Sequence, residues 1–416
     1  MEILETVNFV ISLIFTICYT YQILYIPISL LGKKRKHKKC ILHNYAVLIC
    51  ARNEERVIGG LLDSLNAQSY PADKLKVFVM ADNCTDGTAK AAMEKGAFVY
   101  ERRDDKLIGK GYALEELLVH IEEDHGAFDG YFVFDADNIL ESDYIEQMNK
   151  SFSDGYSIVT GYRNSKNYGA NWISAGYALW FLRESKYLNQ ARWILGTSCA
   201  VSGTGFMFGR NIYEKAEGWK YHLLTEDIEF SVDMICRGER IGYCPEAVLY
   251  DEQPLKFRQS CRQRMRWAKG YLQVFRRYGT DMFKGILKAD FSCFDMAMAI
   301  MPAFILSVIG FASNLVFALA SAFGSGDFTV LAESLLSMAA GAYLLLFFIG
   351  AVTTLSEWKN IHCPNYKKIL YSFSFPLFMF TYIPISVCAI FAKVTWKPIE
   401  HGLSDKGIDV GRKNRA

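Results

Sequence analysis

The sequence predicts a doubly wound, mostly parallel α/β sheet with flanking transmembrane and interfacial helices. Three observations lead there. Tyr131-Phe132-Val133-Phe134 is an apolar run of strand-forming residues, the mark of a strand buried on both faces, and Asp135-Ala136-Asp137 follows at its end. Before it, short apolar runs alternate with polar turns and helical segments, as in a parallel sheet. Charge-free apolar runs fill residues 7–31, 296–323, 335–355 and 369–391. Each is long enough to cross a hydrocarbon core of about 30 Å.

The 416 residues divide around these runs. The organisation predicted is an N-terminal anchor at 1–32, a catalytic α/β domain at 40–255 and interfacial helices at 256–292. A membrane region at 293–392 and a basic tail at 393–416 complete it. The first run is too long for a signal-peptide core and has no basic residue before it, so it reads as a retained anchor. Lys33-Lys34-Arg35-Lys36-His37-Lys38-Lys39 follows it, whereas residues 1–6 carry only Glu2 and Glu5. The positive-inside rule then places the N-terminus outside and the catalytic domain in the cytoplasm of a multi-pass plasma-membrane protein. Loop 324–334, with Asp327 and Glu333, suits the outer face; loop 356–368, with Lys359, Lys367 and Lys368, suits the inner one. Pro376 and Pro384 interrupt the fourth run, which reads either as a span or as a re-entrant segment. The tail residues Lys393, Lys397, Lys406, Arg412, Lys413 and Arg415 favour a cytoplasmic end. Eleven cysteines include no CxxC pair and no His-paired spacing, so neither a zinc site nor a disulfide scaffold is indicated. The net charge of +2 says little for the whole, and no nucleic-acid partner is expected.

Within the domain, residues 45–50 read as a first buried strand, with Arg52-Asn53-Glu54-Glu55 leading into a helix through Leu65. Residues 76–80 form a second strand that ends at Asp82-Asn83, before a helix near 89–95. A short strand at 98–100 and a helix at 112–120 come next, the latter preceded by Gly109-Lys110-Gly111. No GxGxxG opens the first helix, and Gly109-Lys110 lacks the flanking residues of a Walker loop, so dinucleotide and NTPase readings are unsupported.

Side chains at i and i+2 of a strand share a face, so Asp135 and Asp137 can converge on one ligand at the strand's carboxyl end. Two hard oxygen donors there suit Mg²⁺ or Mn²⁺ carrying a diphosphate. Taken alone, such a pair is more often a helix cap and a turn. Thr225-Glu226-Asp227-Ile228-Glu229 puts three carboxylates in the first turn of a helix, either as chemistry or as complements to its dipole. Residues 255–278 alternate Arg258, Arg262, Arg264, Arg266, Lys269, Arg276 and Arg277 with aromatic and aliphatic residues, the pattern of a helix lying among lipid headgroups.

Asp82, Asp135-Ala136-Asp137, Thr225-Glu226-Asp227 and Gln263-Arg264-Met265-Arg266-Trp267 occur in this order. The series resembles that of the membrane-embedded family 2 glycosyltransferases of GT-A, Rossmann-like fold, which include cellulose, chitin, hyaluronan and poly-N-acetylglucosamine synthases. The resemblance covers roughly residues 44 to 280. It implies that Asn53, Glu54 and Asp82 meet the uracil and ribose of a UDP-sugar, and that Lys110 lies near its diphosphate. It implies that Asp135 and Asp137 hold the metal, Asp137 the more directly. Asp227 would be the general base, with Glu226 beside it in the catalytic set. Gln263 and Arg266 would meet pyrophosphate oxygens, and Trp267 would stack on an acceptor sugar. The tail Lys393-Val394-Thr395-Trp396-Lys397 resembles the gating loop of cellulose synthases, with Trp396 where that loop has proline. No regulatory module of the cellulose synthase type is expected.

The function expected is inverting transfer from a UDP-sugar to a growing β-linked polysaccharide, with an export partner or a homo-oligomer left open. The alternative is a glycolipid glycosyltransferase with a lipid acceptor. A non-catalytic membrane scaffold is the third reading.

Overall fold

The computed structural model describes residues 2–32, 40–323, 328–395 and 401. The basic block 33–39, residues 324–327, Trp396 and Lys397, and the basic residues from 406 onward lie outside the described residues. Helix α1 (Glu2–Leu31) precedes a run of alternating elements: β1 (Tyr45–Ala51), α2 (Ile58–Asn66), β2 (Leu75–Asp82), α3 (Thr88–Glu94), β3 (Phe98–Arg102), α4 (Lys110–His125) and β4 (Gly130–Asp135). The second half follows with β5 (Ile139–Leu140), α5 (Tyr144–Ser153), β6 (Ile158–Ser165), α6 (Trp172–Arg183), α7 (Gln190–Leu195), β7 (Phe206–Gly209), α8 (Arg210–Lys215), α9 (Glu226–Cys236) and β8 (Ile241–Asp251).

These eight strands form one sheet in the order β3-β2-β1-β4-β7-β6-β8-β5. The pairs β1–β2, β2–β3, β1–β4 and β6–β8 are parallel, whereas β7 runs antiparallel to both neighbours and β5 antiparallel to β8. Strand order reverses at β1: β2 and β3 grow to one side, and β4 returns on the other. The crevice beyond the carboxyl ends of β1 and β4 is therefore where such a sheet binds its ligand.

The apolar run of β4 is explained by what covers it. Tyr131 and Val133 join the core on the α4 and α6 side, while Phe132 and Phe134 join the core on the α2 and α5 side. Residues 144–202 carry elements that the sequence reading left unassigned, among them β6 and α6. An Asn171–Ser174 capping box starts α6: the Asn171 carboxamide accepts from Ile173 N at 2.9 Å and Ser174 N at 3.0 Å, and the Ser174 hydroxyl accepts from Asn171 N.

Helix α10 (Phe257–Leu287) leads to α11 (Phe291–Ile300), α12 (Pro302–Ala322), α13 (Phe328–Ser356), α14 (Asn365–Phe380) and α15 (Tyr382–Phe391). The run at 296–323 is thus divided at Met301, where Pro302 lacks the N–H that would continue α11 and begins the next helix instead. Among the described residues, three stretches are long and apolar enough to cross a membrane: Thr6–Leu31, Leu331–Ser356 and Asn365–Phe391. Asn8 and Asn314 exchange carboxamide hydrogen bonds at 3.0 and 3.2 Å, a polar link between α1 and α12. Phe257, Phe275, Phe283 and Leu287 of α10 and Phe291 of α11 are exposed. Arg264 departs from the headgroup-facing expectation. It is fully buried, donates to Phe378 O at 3.1 Å and Thr381 Oγ1 at 2.6 Å, and lies 4.4 Å from the Phe378 ring centre. This arginine docks α10 on α14 and leaves its neighbours to the active site.

Candidate active site

The crevice is built from the ends of β1, β2 and β4, the 202–205 loop, the start of α9 and one face of α10. Strand β4 ends at Asp135, so strand alternation does not pair Asp135 with Asp137 as the sequence suggested. Asp137 lies in the turn beyond, closed by Asn138 N donating to Asp135 O at 3.0 Å. The Asp135 carboxylate remains partly accessible and is held by the Lys110 ammonium. Asp137 is buried; its carboxylate accepts from Glu252 N at 2.8 Å and from the Asn138 carboxamide at 3.3 Å. No cluster of three or more His, Cys, Asp or Glu suited to a metal occurs among the described residues. Two carboxylates completed by phosphate oxygens are nonetheless the donor set Mg²⁺ or Mn²⁺ takes in nucleotide sites, so the pair fits such a cation.

Gly203 is the hub of the opposite wall. Its φ of +80° is a left-handed conformation that suits glycine, and its carbonyl accepts from Lys110 Nζ at 2.8 Å. A Cβ placed on it would lie 3.8 Å from both Asp227 Oδ2 and Arg163 Nη1. Lys110, Asp135, Arg163 and Asp227, far apart in sequence, therefore meet around one loop. Thr204 secures that loop to β4 by accepting from Asp135 N at 2.9 Å.

Glu226 and Asp227 open α9, where the helix N-terminus favours negative charge. Glu226 is buried and Asp227 partly accessible. Burial pushes the Asp227 carboxyl above its usual range, opposed by Ile228 N–H, Lys110 and Arg266. Burial and then the neighbouring Asp227 charge push Glu226 up as well, opposed by Lys110 and Arg266. Burial opposes the Lys110 charge too, but Asp135 and Glu226 outweigh it and hold the ammonium above its usual value.

From α10, Arg266 donates to Leu224 O at 3.1 Å and so clasps the loop that leads to α9. The Gln263 carboxamide oxygen is buried with no hydrogen-bond partner among the described residues, the state expected of a group that awaits a ligand. Trp267 packs edge-on to Tyr177 and Phe181, with ring centres 5.7 and 6.0 Å away. Gly270 lets α10 approach α9 this closely, since a Cβ there would meet Thr225 at 2.5 Å.

At the β1 and β2 ends, Asp82 is buried and accepts from Arg102 Nη1 at 2.8 Å. Asn53 has a φ of +59°, and its carboxamide oxygen accepts from Thr85 N at 2.7 Å, so it staples two loops together. Glu54 pairs with His401 at 2.9 Å. Sequence reasoning missed Arg102, Arg163, Gly203 and His401. Only Gly203-Thr204-Gly205 carried a local signal, a paired-glycine loop.

The profile of glycosyltransferase-like family 2 matches residues 43–270, more than half of the chain. The chain belongs to this family. The probable glycosyltransferase YdaM of Bacillus subtilis (strain 168) is 30% identical over 273 residues, 61% of each chain. A beta-monoglucosyldiacylglycerol synthase of Synechocystis sp. (strain ATCC 27184 / PCC 6803 / Kazusa) is 24% identical over 267 residues, 62% of this chain and 54% of its own. A poly-beta-1,6-N-acetyl-D-glucosamine synthase of Staphylococcus aureus (strain COL) is 24% identical over 241 residues, 57% of this chain and 56% of its own. The matches thus span less than two thirds of these relatives. Among solved structures, a mannosyltransferase of Pyrobaculum calidifontis, in complex with GDP-Man and Mn²⁺, superposes with a TM-score of 0.60 over 92% of this chain and 98% of that one, at 18% identity. The glycosyltransferase fold is GT-A, and the sheet order above is its framework.

Proposed function

We propose that this glycosyltransferase is membrane-bound and inverting, and moves a sugar from a UDP-sugar to the end of a growing β-linked polysaccharide. The observation that carries the reading is that Asp227 and Lys110 meet at Gly203, with Asp135 held by the same lysine, which sets a base beside the groups assigned to the diphosphate. Asp227 takes the proton of the acceptor hydroxyl as that oxygen forms its bond to the anomeric carbon and the bond to UDP breaks. Attack opposite the leaving group turns an α-linked donor into a β-glycoside. Lys110, Arg266 and Gln263 hold the diphosphate, and Asn53, Glu54 and Asp82 frame the uracil and ribose. Mg²⁺ or Mn²⁺ held by Asp135 and Asp137 would neutralise the charge that develops on the leaving UDP. The catalytic domain faces the cytoplasm in this reading, with the N-terminus outside.

A glycolipid product is the second reading, favoured by the exposed apolar faces of α10 and α11 beside the site. The two separate by product. Detergent-solubilised full-length protein is supplied with Mn²⁺ or Mg²⁺ and labelled UDP-glucose, UDP-N-acetylglucosamine or UDP-glucuronate, singly and in pairs. High-molecular-weight material supports the synthase; an organic-extractable product that needs added diacylglycerol supports the glycolipid enzyme. A folded sample that turns over none of the donors revives the scaffold reading.

The pH dependence follows from Asp227. A base must be deprotonated, and burial raises the pH at which this one loses its proton. Activity is therefore expected to fall on acidification at a pH above the ordinary aspartate value of about 3.9. A kcat/KM profile that stays flat below that value would remove Asp227 from the role.

A further inference from the structure

Arg163 lies on β6 just past a break in register: Gly161 pairs with Cys244 of β8, but Tyr162 pairs with Val248. Such bulges bend a strand and re-aim its side chains, and they recur beside active sites. Here the guanidinium reaches several groups at once. Its Nε donates to the Asp251 carboxylate at 2.7 Å, Nη2 donates to the same carboxylate, and Nη1 donates to Ser202 O at 2.7 Å. Its face lies on the Phe181 ring, with Cζ 3.6 Å from the ring centre. A planar guanidinium can donate along its edge while it stacks on its face, which the compact ammonium of a lysine cannot do.

Each contact leads to a different wall of the crevice. Asp251 ends β8, and the next residue, Glu252, gives its N–H to Asp137 at 2.8 Å. Ser202 precedes Gly203, where a Cβ would lie 3.8 Å from both Arg163 Nη1 and Asp227 Oδ2. Phe181 belongs to α6; it stacks on Tyr177, one turn earlier, at 6.5 Å and meets Trp267 of α10 at 6.0 Å. Tyr177 is fixed in turn by α10, since its hydroxyl accepts from Ser260 Oγ at 3.1 Å. Trp267 therefore leans on a Tyr177–Phe181 layer that Arg163 caps. The ion pair with Asp251 ties that cap to the strand end that also holds Asp137. A general base acts only on a hydroxyl delivered within hydrogen-bond reach, so the distance between the indole platform and the Gly203 loop is what such a cap controls.

We propose that Arg163 is a positioning residue for the acceptor: through Phe181 it sets the Trp267 platform against the Ser202–Gly203 loop, so that a sugar ring stacked on Trp267 presents its hydroxyl to Asp227. This rests on the glycosyl-transfer reading above. The acceptor served in this way is a saccharide end, because an acylglycerol offers no ring face to the indole.

The test compares full-length wild type, Arg163→Lys, Phe181→Leu and the double variant in detergent, with cellotetraose, chitotetraose and dioleoylglycerol as acceptors. UDP affinity is followed by calorimetry. Each single variant is expected to raise the oligosaccharide KM about tenfold, with UDP affinity within about twofold. Both changes break the same contact, so the double variant is expected to match the worse single one, not to reach the product of about a hundredfold. Should Arg163→Lys not fold, Phe181→Leu reads that contact from its other side and is expected to raise the same KM. An unchanged acceptor KM, a parallel loss of UDP affinity, single effects that multiply, or wild-type use of dioleoylglycerol alone or of none of the three overturns the proposal. Wild-type protein that neither binds UDP nor releases it from any UDP-sugar overturns the glycosyl-transfer reading itself, which keeps the two failures distinct.

Discussion

Asp227→Asn is expected to lower sugar transfer by about 10²- to 10⁴-fold, the usual contribution of a positioned general base. The substitution keeps shape and hydrogen-bonding capacity but cannot take a proton. Glu226 is a poor replacement: it is only 8% exposed, and burial already drives it toward its neutral form. The groups assigned to the diphosphate are untouched, so UDP affinity is expected to stay within about twofold, and the whole loss to fall in kcat. Initial rates with saturating donor, set beside UDP calorimetry, decide the matter. Near-normal turnover would sink the base assignment, and a large loss of UDP affinity would move Asp227 to the donor side.

Asp295→Asn is expected to destabilise the protein by about 3–5 kcal/mol, the range for removing one partner of a buried ion pair. Asp295 of α11 is 2% exposed and Arg192 of α7 is 3% exposed. The carboxylate accepts from Arg192 at 2.7 and 3.1 Å, from Tyr21 at 2.6 Å and from Tyr25 at 2.9 Å. One aspartate thus ties α1, α7 and α11 together at the edge of the catalytic domain. Without its charge, the Arg192 guanidinium stays desolvated and uncompensated. Thermal unfolding in detergent reads the loss, and Tyr21→Phe or Tyr25→Phe is expected to cost only about 1 kcal/mol. A melting temperature equal to wild type for Asp295→Asn would show that α11 docks by other contacts.

Neither Arg192 nor Asp295 stood out in the sequence. The difference from Asp227 is one of range. Asp227 sits in a short motif whose neighbours, Glu226 and the helix that follows, signal it locally. Asp295 is a single carboxylate whose partners lie 103, 274 and 270 positions away along the chain. Arg264 teaches the same from the other side: its helix reads as uniformly basic, and only the position of α14 shows which guanidinium is buried.

The sequence by itself determined the α/β repeat, the apolar strand that ends at Asp135, the apolar helices and the order of the motif residues. Each is a local property: periodicity, a strand end, a helix start or a length of apolar chain. Tertiary structure alone decided that Asp137 leaves the strand for a turn, and that Gly203 brings Lys110, Arg163 and Asp227 together. Those facts depend on backbone that returns from distant segments to one crevice, and no side chain announces in sequence which distant partner will be there to neutralise it.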